Sequence, residues 1–283
     1  MITVTATFVF IHGSHSNSFA WGPLLRELTL HGHRALAVDL PGHGFGATRP
    51  AAYQAPQDLA SLAAAPSTIA GASFADGVEH VAGVVRRAAE HGPVIAVGHS
   101  RGGLTLTALG NTIPDLLDRI VYISAWCCVD GSPADYMQGP EYATSALNDV
   151  PPQLVTGDPA ALGAIRMNWR TADAPTLAAL KLSMMADCTD AEFLTYLATM
   201  DLDESLDAGT DRAEAGTWGR IPRTYVRLTG DTSIPLALQD RFIKEADALT
   251  PANPFDVRSL DTSHVGFQIH PEQAAALLSD LAG

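Results

Sequence analysis

Six short runs punctuate the chain: Thr7–Ile11, Arg34–Asp39, Pro93–Val97, Arg119–Ser124, Thr224–Thr229 and Asp256–Leu260. They are rich in valine, isoleucine or aromatic residues, and several are nearly continuous in apolar positions. That is the pattern of parallel strands covered on both faces. Segments with helical spacing lie between them. Phe74, Val78, Val81 and Val85 recur at i, i+4, i+7 and i+11, one stripe of a helix that ends near Glu90 with Gly92 as its stop. Leu104–Leu109, Pro235–Ala246 and Pro271–Leu281 are further helices. The last two carry proline in the first turn, where its missing N–H costs nothing. Strands alternating with helices predict right-handed βαβ units and an α/β fold with a doubly wound, mostly parallel sheet of about six strands.

Two stretches interrupt this rhythm. Residues Gly46–Gly71 are rich in Ala, Pro and Ser and read as a long surface excursion. Residues Pro133–Arg220 contain no convincing strand. There Asp158 and Pro159 supply an N-cap and a proline at N1, opening a short helix through Met167. Leu177, Leu180 and Met184, then Asp190, Phe193, Leu197 and Met200, keep helical spacing. The chain therefore divides into a core, residues 1–132 and 221–283, and a helical cap, residues 133–220, inserted between two strands. No internal repeat or linker splits it further.

Composition narrows the function. Apolar residues make up 47% of the 283 positions and charged residues 17%, enough for a sizeable core and too apolar for disorder. Acidic residues outnumber basic ones 31 to 17, a formal charge of −14, which would repel nucleic acid and anionic membranes alike. No apolar run reaches the ~18 residues of a membrane span. The first residues lack the basic n-region and cleavage site of a signal peptide. Three cysteines, Cys127, Cys128 and Cys188, do not make a disulfide scaffold, so the cytoplasmic compartment fits best. The oligomeric state is open, a homodimer being one option.

The chemistry starts at Val94-Ile95-Ala96-Val97-Gly98-His99-Ser100-Arg101-Gly102-Gly103, a strand, then G-x-S-x-G, then a helix. A serine at the tip of so sharp a turn is strained and exposed, and its neighbours two residues away must be small. The turn also aims the N–H of Arg101 and the helix N-terminus at a bound carbonyl. The turn His12-Gly13-Ser14-His15 after the first strand offers a second donor, the N–H of Ser14, completing an oxyanion hole. The His12 side chain reads as a brace for that loop, while His15 either faces the pocket or is solvated. His12 and His15 make a poor metal site, because no Cys or carboxylate is spaced with them. The chemistry requires neither metal nor organic cofactor.

Ten histidines are available as general base. The base must sit on a loop after a late strand, and His264 does. His31, His33, His43, His80, His91, His99 and His270 fall in turns or helices. Asp231, just after the strand Thr224–Thr229, is the carboxylate best placed to orient an imidazole. Asp130 is the alternative. Asp261 and Asp39 read as braces of their own loops. The run Gly42–Gly46 lacks G-x-G-x-x-G spacing and a following helix, so it is not a dinucleotide loop.

The order Ser100, Asp231, His264 is that of α/β-hydrolases. The chain resembles that superfamily over almost its whole length. It is most similar to the small cofactor-free esterases and hydroxynitrile lyases typified by plant methyl esterases and their bacterial relatives. Phe10-Ile11-His12-Gly13, Trp21, Gly32–Leu40, the Ser100 turn, Val121–Ala125, Trp218–Val226, Asp231 with Ile234-Pro235, Gln239 and His264 carry the likeness. The hydroxynitrile lyases of this group have Lys after the catalytic His and Thr where this chain has Gly13. Val265 and Gly13 therefore place it on the ester-hydrolysing side. Relatives usually carry an uncharged residue at Arg101; here its guanidinium either meets an anionic substrate group or forms a structural ion pair.

The resemblance and the residues together imply a serine hydrolase for a small, largely apolar carboxylic ester, lactone or thioester, with a catalytic triad of Ser100, His264 and Asp231. Substrate-contacting candidates are His15, Trp126, Tyr136, Trp169, Met184 and Met185. Two alternatives stand beside it: a lyase or cyclase on the same frame, and a ligand-binding protein with a vestigial triad.

Overall fold

The structure, a computed structural model, describes residues 5–282. The outermost residues of the assigned core, 1–4 and 283, lie outside them. Eight strands occur among the described residues: β1 (Thr7–Ile11), β2 (Arg34–Val38), β3 (Val94–Ser100), β4 (Arg119–Ala125), β5 (Ala164–Arg166), β6 (Asp203–Ser205), β7 (Arg223–Leu228) and β8 (Asp256–Leu260). Six form one parallel sheet in the order β2-β1-β3-β4-β7-β8. The burial pattern explains the order. β1 is buried throughout, and β3 at every position but Ser100, whereas the edge strands β2 and β8 carry the exposed Arg34 and Arg258. Charge on an edge strand discourages pairing with another chain.

The main helices are α1 (Gly22–Leu30), α2 (Leu59–Ala64), α3 (Phe74–Ala89), α4 (Gly102–Thr112), α5 (Pro133–Met137), α6 (Pro159–Leu162), α7 (Ala174–Met184), α8 (Asp190–Thr199), α9 (Leu236–Leu249), α10 (Gly266–Ile269) and α11 (Glu272–Leu281). Alternate residues of each central strand feed two separate cores. On one face Val9, Ala96, Ile120 and Tyr225 meet α3, α4 and α9. On the other Phe8, Phe10, Val97 and Val121 meet α1 and α11. The stripe foreseen on α3 is buried at Val78, Val81 and Val85, and the helix starts with a Ser73–Asp76 capping box. No helix among the described residues is long and apolar enough to cross a membrane.

Three expectations need correction. The helix opened by Asp158-Pro159 ends at Leu162, not Met167, because Gly163 adopts a left-handed conformation (φ +65°) that terminates it. The next residues form β5, which pairs antiparallel with β6. The insertion is thus not wholly helical. Nor is the Gly46–Gly71 stretch merely a surface excursion: Tyr53 and Leu62 bury themselves against Leu202 of the insertion. Three-residue strands carry too short a pattern to stand out from a loop.

Arg166 locks this region. Its guanidinium donates to both oxygens of Asp203 at 2.7 Å and to the carbonyls of Leu62 and Ala65 at 2.7 Å, fully out of solvent. Removing one partner of such a pair strands the other charge in the interior, at a cost of about 3–5 kcal/mol. Arg166→Ala should therefore lower urea stability by that order. A loss under about 1 kcal/mol would mean that the pair contributes nothing net.

Candidate active site

Ser100 ends β3 with φ +54°, in the left-handed region. The register between β3 and β4 shifts at this point, between His99 and Ser100. No Cβ fits around the turn. One on Gly98 would lie 2.9 Å from the Gly102 carbonyl oxygen, and one on Gly102 would lie 2.5 Å from that of Ile11. One on Gly103 would sit 2.3 Å from the Trp126 carbonyl oxygen. Across the turn, a Cβ on Gly13 would come within 2.8 Å of Ser100 Cβ and 3.3 Å of its Oγ. Glycine at these places is the steric condition for bringing β1, β3 and α4 together at Ser100.

The loops after β7 and β8 bring Asp231 and His264 together. His264 Nδ1 is 2.6 Å from Asp231 Oδ2, with both groups buried. Asp231 also accepts the Ser124 hydroxyl at 2.6 Å on Oδ2, and the N–H groups of Ser233 and Ile234 at 2.7 and 3.0 Å on Oδ1. Four donors thus fix the carboxylate. The His264 carbonyl accepts from His99 Nε2 at 2.9 Å, and the two rings lie 4.5 Å apart. Val265 N–H donates to the Met184 carbonyl at 3.0 Å, and Ser263 N–H to Asp187 at 2.9 Å. Ser100 and His264 open on one cavity of about 350 Å³. Their side chains are not hydrogen-bonded to each other here, and such bonds often tighten only when substrate is bound. The N–H groups of Ser14 and Arg101 have no acceptor among the described residues.

This glycine-framed turn and its flanking strands belong to a wider pattern: residues 8–277 match the alpha/beta hydrolase family. The chain belongs to the alpha/beta hydrolase family. It is 26% identical to the pyrethroid hydrolase of Sphingobium wenxiniae, over 99% of this chain and 89% of that one. It is 23% identical to the polyneuridine aldehyde esterase of Rauvolfia serpentina, over 97% and 95%. The crystal structure of a pyrethroid hydrolase from Sphingobium faniae superposes with a TM-score of 0.72 at 22% identity, covering 99% of this chain and 98% of that one. That of polyneuridine aldehyde esterase gives 0.70 at 20% identity, covering 99% and 100%. These last two likenesses concern the fold.

Within this alpha/beta hydrolase the cavity is mainly apolar, with the insertion as one wall. His15, Trp126, Trp169 and Met184 line it. Tyr136 and Met185 do not, and here the structure corrects the expectation. Tyr136 is buried beside Phe242, and its hydroxyl meets Glu245 and the N–H groups of Val129 and Asp130. Met185 is fully buried in a cluster formed mostly by the insertion, joined by Ala20 and Val265. Met137 and Tyr142, neighbours of Tyr136 in sequence, face the cavity in its place. Asp130, the alternative carboxylate, is exposed and off the cavity wall. Asp39 accepts the Ser18 N–H, and Asp261 accepts the Thr229 hydroxyl.

The Arg101 guanidinium makes a structural pair: its Nε lies 3.6 Å from Glu204 Oε1, and its Nη2 reaches the carbonyls of Ser205 and Asp207. Among the described residues one trio, Cys188, Glu192 and His270, places potential metal-ligand atoms within 4.8 Å of one another; it includes neither His12 nor His15. Ser124 and Glu204 escaped the sequence reading. Ser124 shows no signal beyond its place at the end of a central strand, and Glu204 lies in the stretch where no strand is expected.

Several titratable groups here are shifted. Burial, then the neighbouring His43, pushes His12 down to about 4; its Nδ1–H donates to the Gly13 carbonyl and its Nε2 accepts the Leu40 N–H. Burial pushes His15 down to about 4 as well, and His99 well below the ordinary histidine value. Burial alone would lower His43, but Glu204, whose Oε2 is 3.7 Å away, and Asp201 raise it. Burial alone would raise Glu204, but His43 and Arg101 hold it well below the carboxylate range.

The sign for stability follows. His12, His15 and His99 stay neutral in the native state while the unfolded chain takes up protons below about pH 6.5. Each then costs about 1.4 kcal/mol per pH unit as pH falls, over a window reaching to about pH 4 for His12 and His15. His43, raised, acts in the opposite sense: it adds stability as pH falls towards about 6.5 and no further slope well below that. Urea unfolding from pH 7 to 5 should show this steep decline. A flat profile would mean that the three rings take up protons without unfolding.

Proposed function

We propose that this protein is a serine hydrolase acting on carboxylic esters of small, largely apolar molecules. One observation carries the reading: Ser100, strained at the head of α4, shares its cavity with an imidazole whose far nitrogen is fixed 2.6 Å from a four-fold anchored carboxylate. In this reading His264 Nε2 takes the Ser100 proton as Oγ attacks the ester carbonyl. Asp231 holds the ring in the right tautomer and stabilises the imidazolium. The unpartnered N–H groups of Ser14 and Arg101 receive the oxyanion, each such donor lowering the barrier by about 3–4 kcal/mol. His264 then protonates the leaving alcohol. Water, deprotonated by the same ring, attacks the acyl-enzyme and releases the acid and the free serine.

The cavity supports the substrate class. About 350 Å³ suits a small molecule, and its walls are mostly aliphatic, methionine and aromatic side chains. Lactones and thioesters pass through the same tetrahedral chemistry. The relatives, one named a hydrolase and one an esterase, support the same reading. Val265, an apolar residue on the wall beside His264, leaves no ammonium there for lyase chemistry. We read residues 133–220 as the cap that sets specificity, and the three free buried thiols as suited to the cytoplasm.

A fluorophosphonate probe should label the wild-type chain and fail to label Ser100→Ala. Turnover of short p-nitrophenyl esters should fall by more than about 10⁴-fold in Ser100→Ala and by about 10³–10⁴-fold in Asp231→Asn. Ser100→Ala that retained full turnover would remove the nucleophile assignment and favour chemistry without an acyl-enzyme.

A further inference from the structure

Glu204 sits in β6, nearly fully buried, and plays no part in the scheme above. Its Oε2 accepts the N–H of His15 at 2.8 Å, and its Oε1 accepts the N–H of Ser205 at 2.8 Å. The same Oε1 faces Arg101 Nε at 3.6 Å. Arg101 reaches further along the same segment, to the carbonyls of Ser205 at 3.3 Å and Asp207 at 2.5 Å. His15 is held at two more points, both on Asp201: its carbonyl accepts the Asp201 N–H at 2.7 Å, and its Nδ1 lies 3.1 Å from the Asp201 carbonyl. His15 has φ +56°, a conformation that a residue with a Cβ adopts only where its surroundings impose it. Ser14 precedes it in the same turn, which the Ser16 N–H closes on the Gly13 carbonyl at 3.2 Å.

Both candidate oxyanion donors are therefore attached to one carboxylate. Ser14 connects through the backbone of His15, and Arg101 through its own side chain. We propose that Glu204 is the positioning residue of the oxyanion site, fastening the two donors to β6 of the insertion. The proposal rests on the acyl-transfer reading of Ser100. A donor out of place loses stabilisation of the tetrahedral species while leaving ground-state binding largely intact. Removing one donor outright typically costs 10²–10³-fold in kcat, so loosening both donors should cost about 10–100-fold.

The test compares the full-length wild-type chain with Glu204→Ala and Glu204→Gln on a p-nitrophenyl ester, with phenylboronic acid as inhibitor. The boronate forms a tetrahedral adduct on the serine and so reports on the donors. Glu204→Ala should lose about 10–100-fold in kcat, keep KM within about threefold, and bind the boronate more weakly in the same proportion. Glu204→Gln keeps one acceptor oxygen where two N–H groups need one, and should fall between the other two. A folded alanine variant with wild-type kcat and boronate affinity, or one altered only in KM, overturns the proposal. If Glu204→Ala fails to give a cooperative thermal transition, Glu204→Gln decides: kcat and boronate affinity falling together support the role, and unchanged values overturn it. Fluorophosphonate labelling of the wild-type chain that is lost in Ser100→Ala tests the underlying reading separately, since it does not depend on Glu204.

Discussion

The rest of the structure depends on how closely β1, β3 and α4 approach around Ser100. Main-chain carbonyls of Ile11, Gly102 and Trp126 occupy the places where side chains of Gly102, Gly98 and Gly103 would begin. A single added methyl at any of these would have to move a strand or a helix, not a flexible side chain, and well-packed interiors do not give way at that scale. The approach has two consequences at once. It holds Ser100 at φ +54°, where the residue lines the cavity. It also brings the turn after β1 against the serine, with a Cβ on Gly13 falling 2.8 Å from that of Ser100. The central strands and the serine's turn are set by one steric fact.

Asp231 and His264 obey a different logic, because loops have no sheet to fix them. Their positions are held by hydrogen bonds, and many come from the insertion. The carbonyls of Leu182 and Ser183 accept from Thr232 and Ser233, the Met184 carbonyl accepts from Val265, and Asp187 binds Thr262 and Ser263. The C-terminal end of α7 and the turn after it therefore touch both loops. β6 touches the Ser14–His15 turn through Glu204. The insertion is a wall of the cavity and also the clamp on three of the loops that open into it.

That division explains what could be read from the sequence. The six sheet strands and α3 were legible because continuous apolar runs and a 3.6-residue stripe repeat often enough to exclude accident. Ser100 was legible because its glycines follow from sterics, and Asp231 and His264 because each follows a recognisable strand. The run Asp201-Leu202-Asp203-Glu204-Ser205 carries no strand pattern and lies where no strand is expected, yet its three carboxylates are buried. Each meets a cation far away in sequence: Arg49 for Asp201, Arg166 for Asp203, Arg101 for Glu204. Nothing local announces such pairs. Tyr136 fails in the opposite direction: an aromatic residue near the expected pocket looks like a liner, but which side of the five-residue α5 faces the cavity is decided by Phe242 and Glu245, more than 100 positions on.

The pairing of buried charges also shapes what the cavity offers a ligand. Arg101 and Glu204 are its two charged lining residues, and they satisfy each other. His15 and His99, also on the wall, are held neutral by burial. The chain is strongly acidic overall, yet the cavity presents almost no net charge. An uncharged ester enters such a site without giving up ionic hydration. The carboxylate formed by its cleavage meets a different balance, because the nearby guanidinium is already engaged by Glu204 and two carbonyls and has little left to give an anion. Under the proposed reaction the same walls that accept the neutral substrate favour departure of the charged product. The ion pair of Arg101 with the buried Glu204 would then serve turnover by withholding its cation from the product.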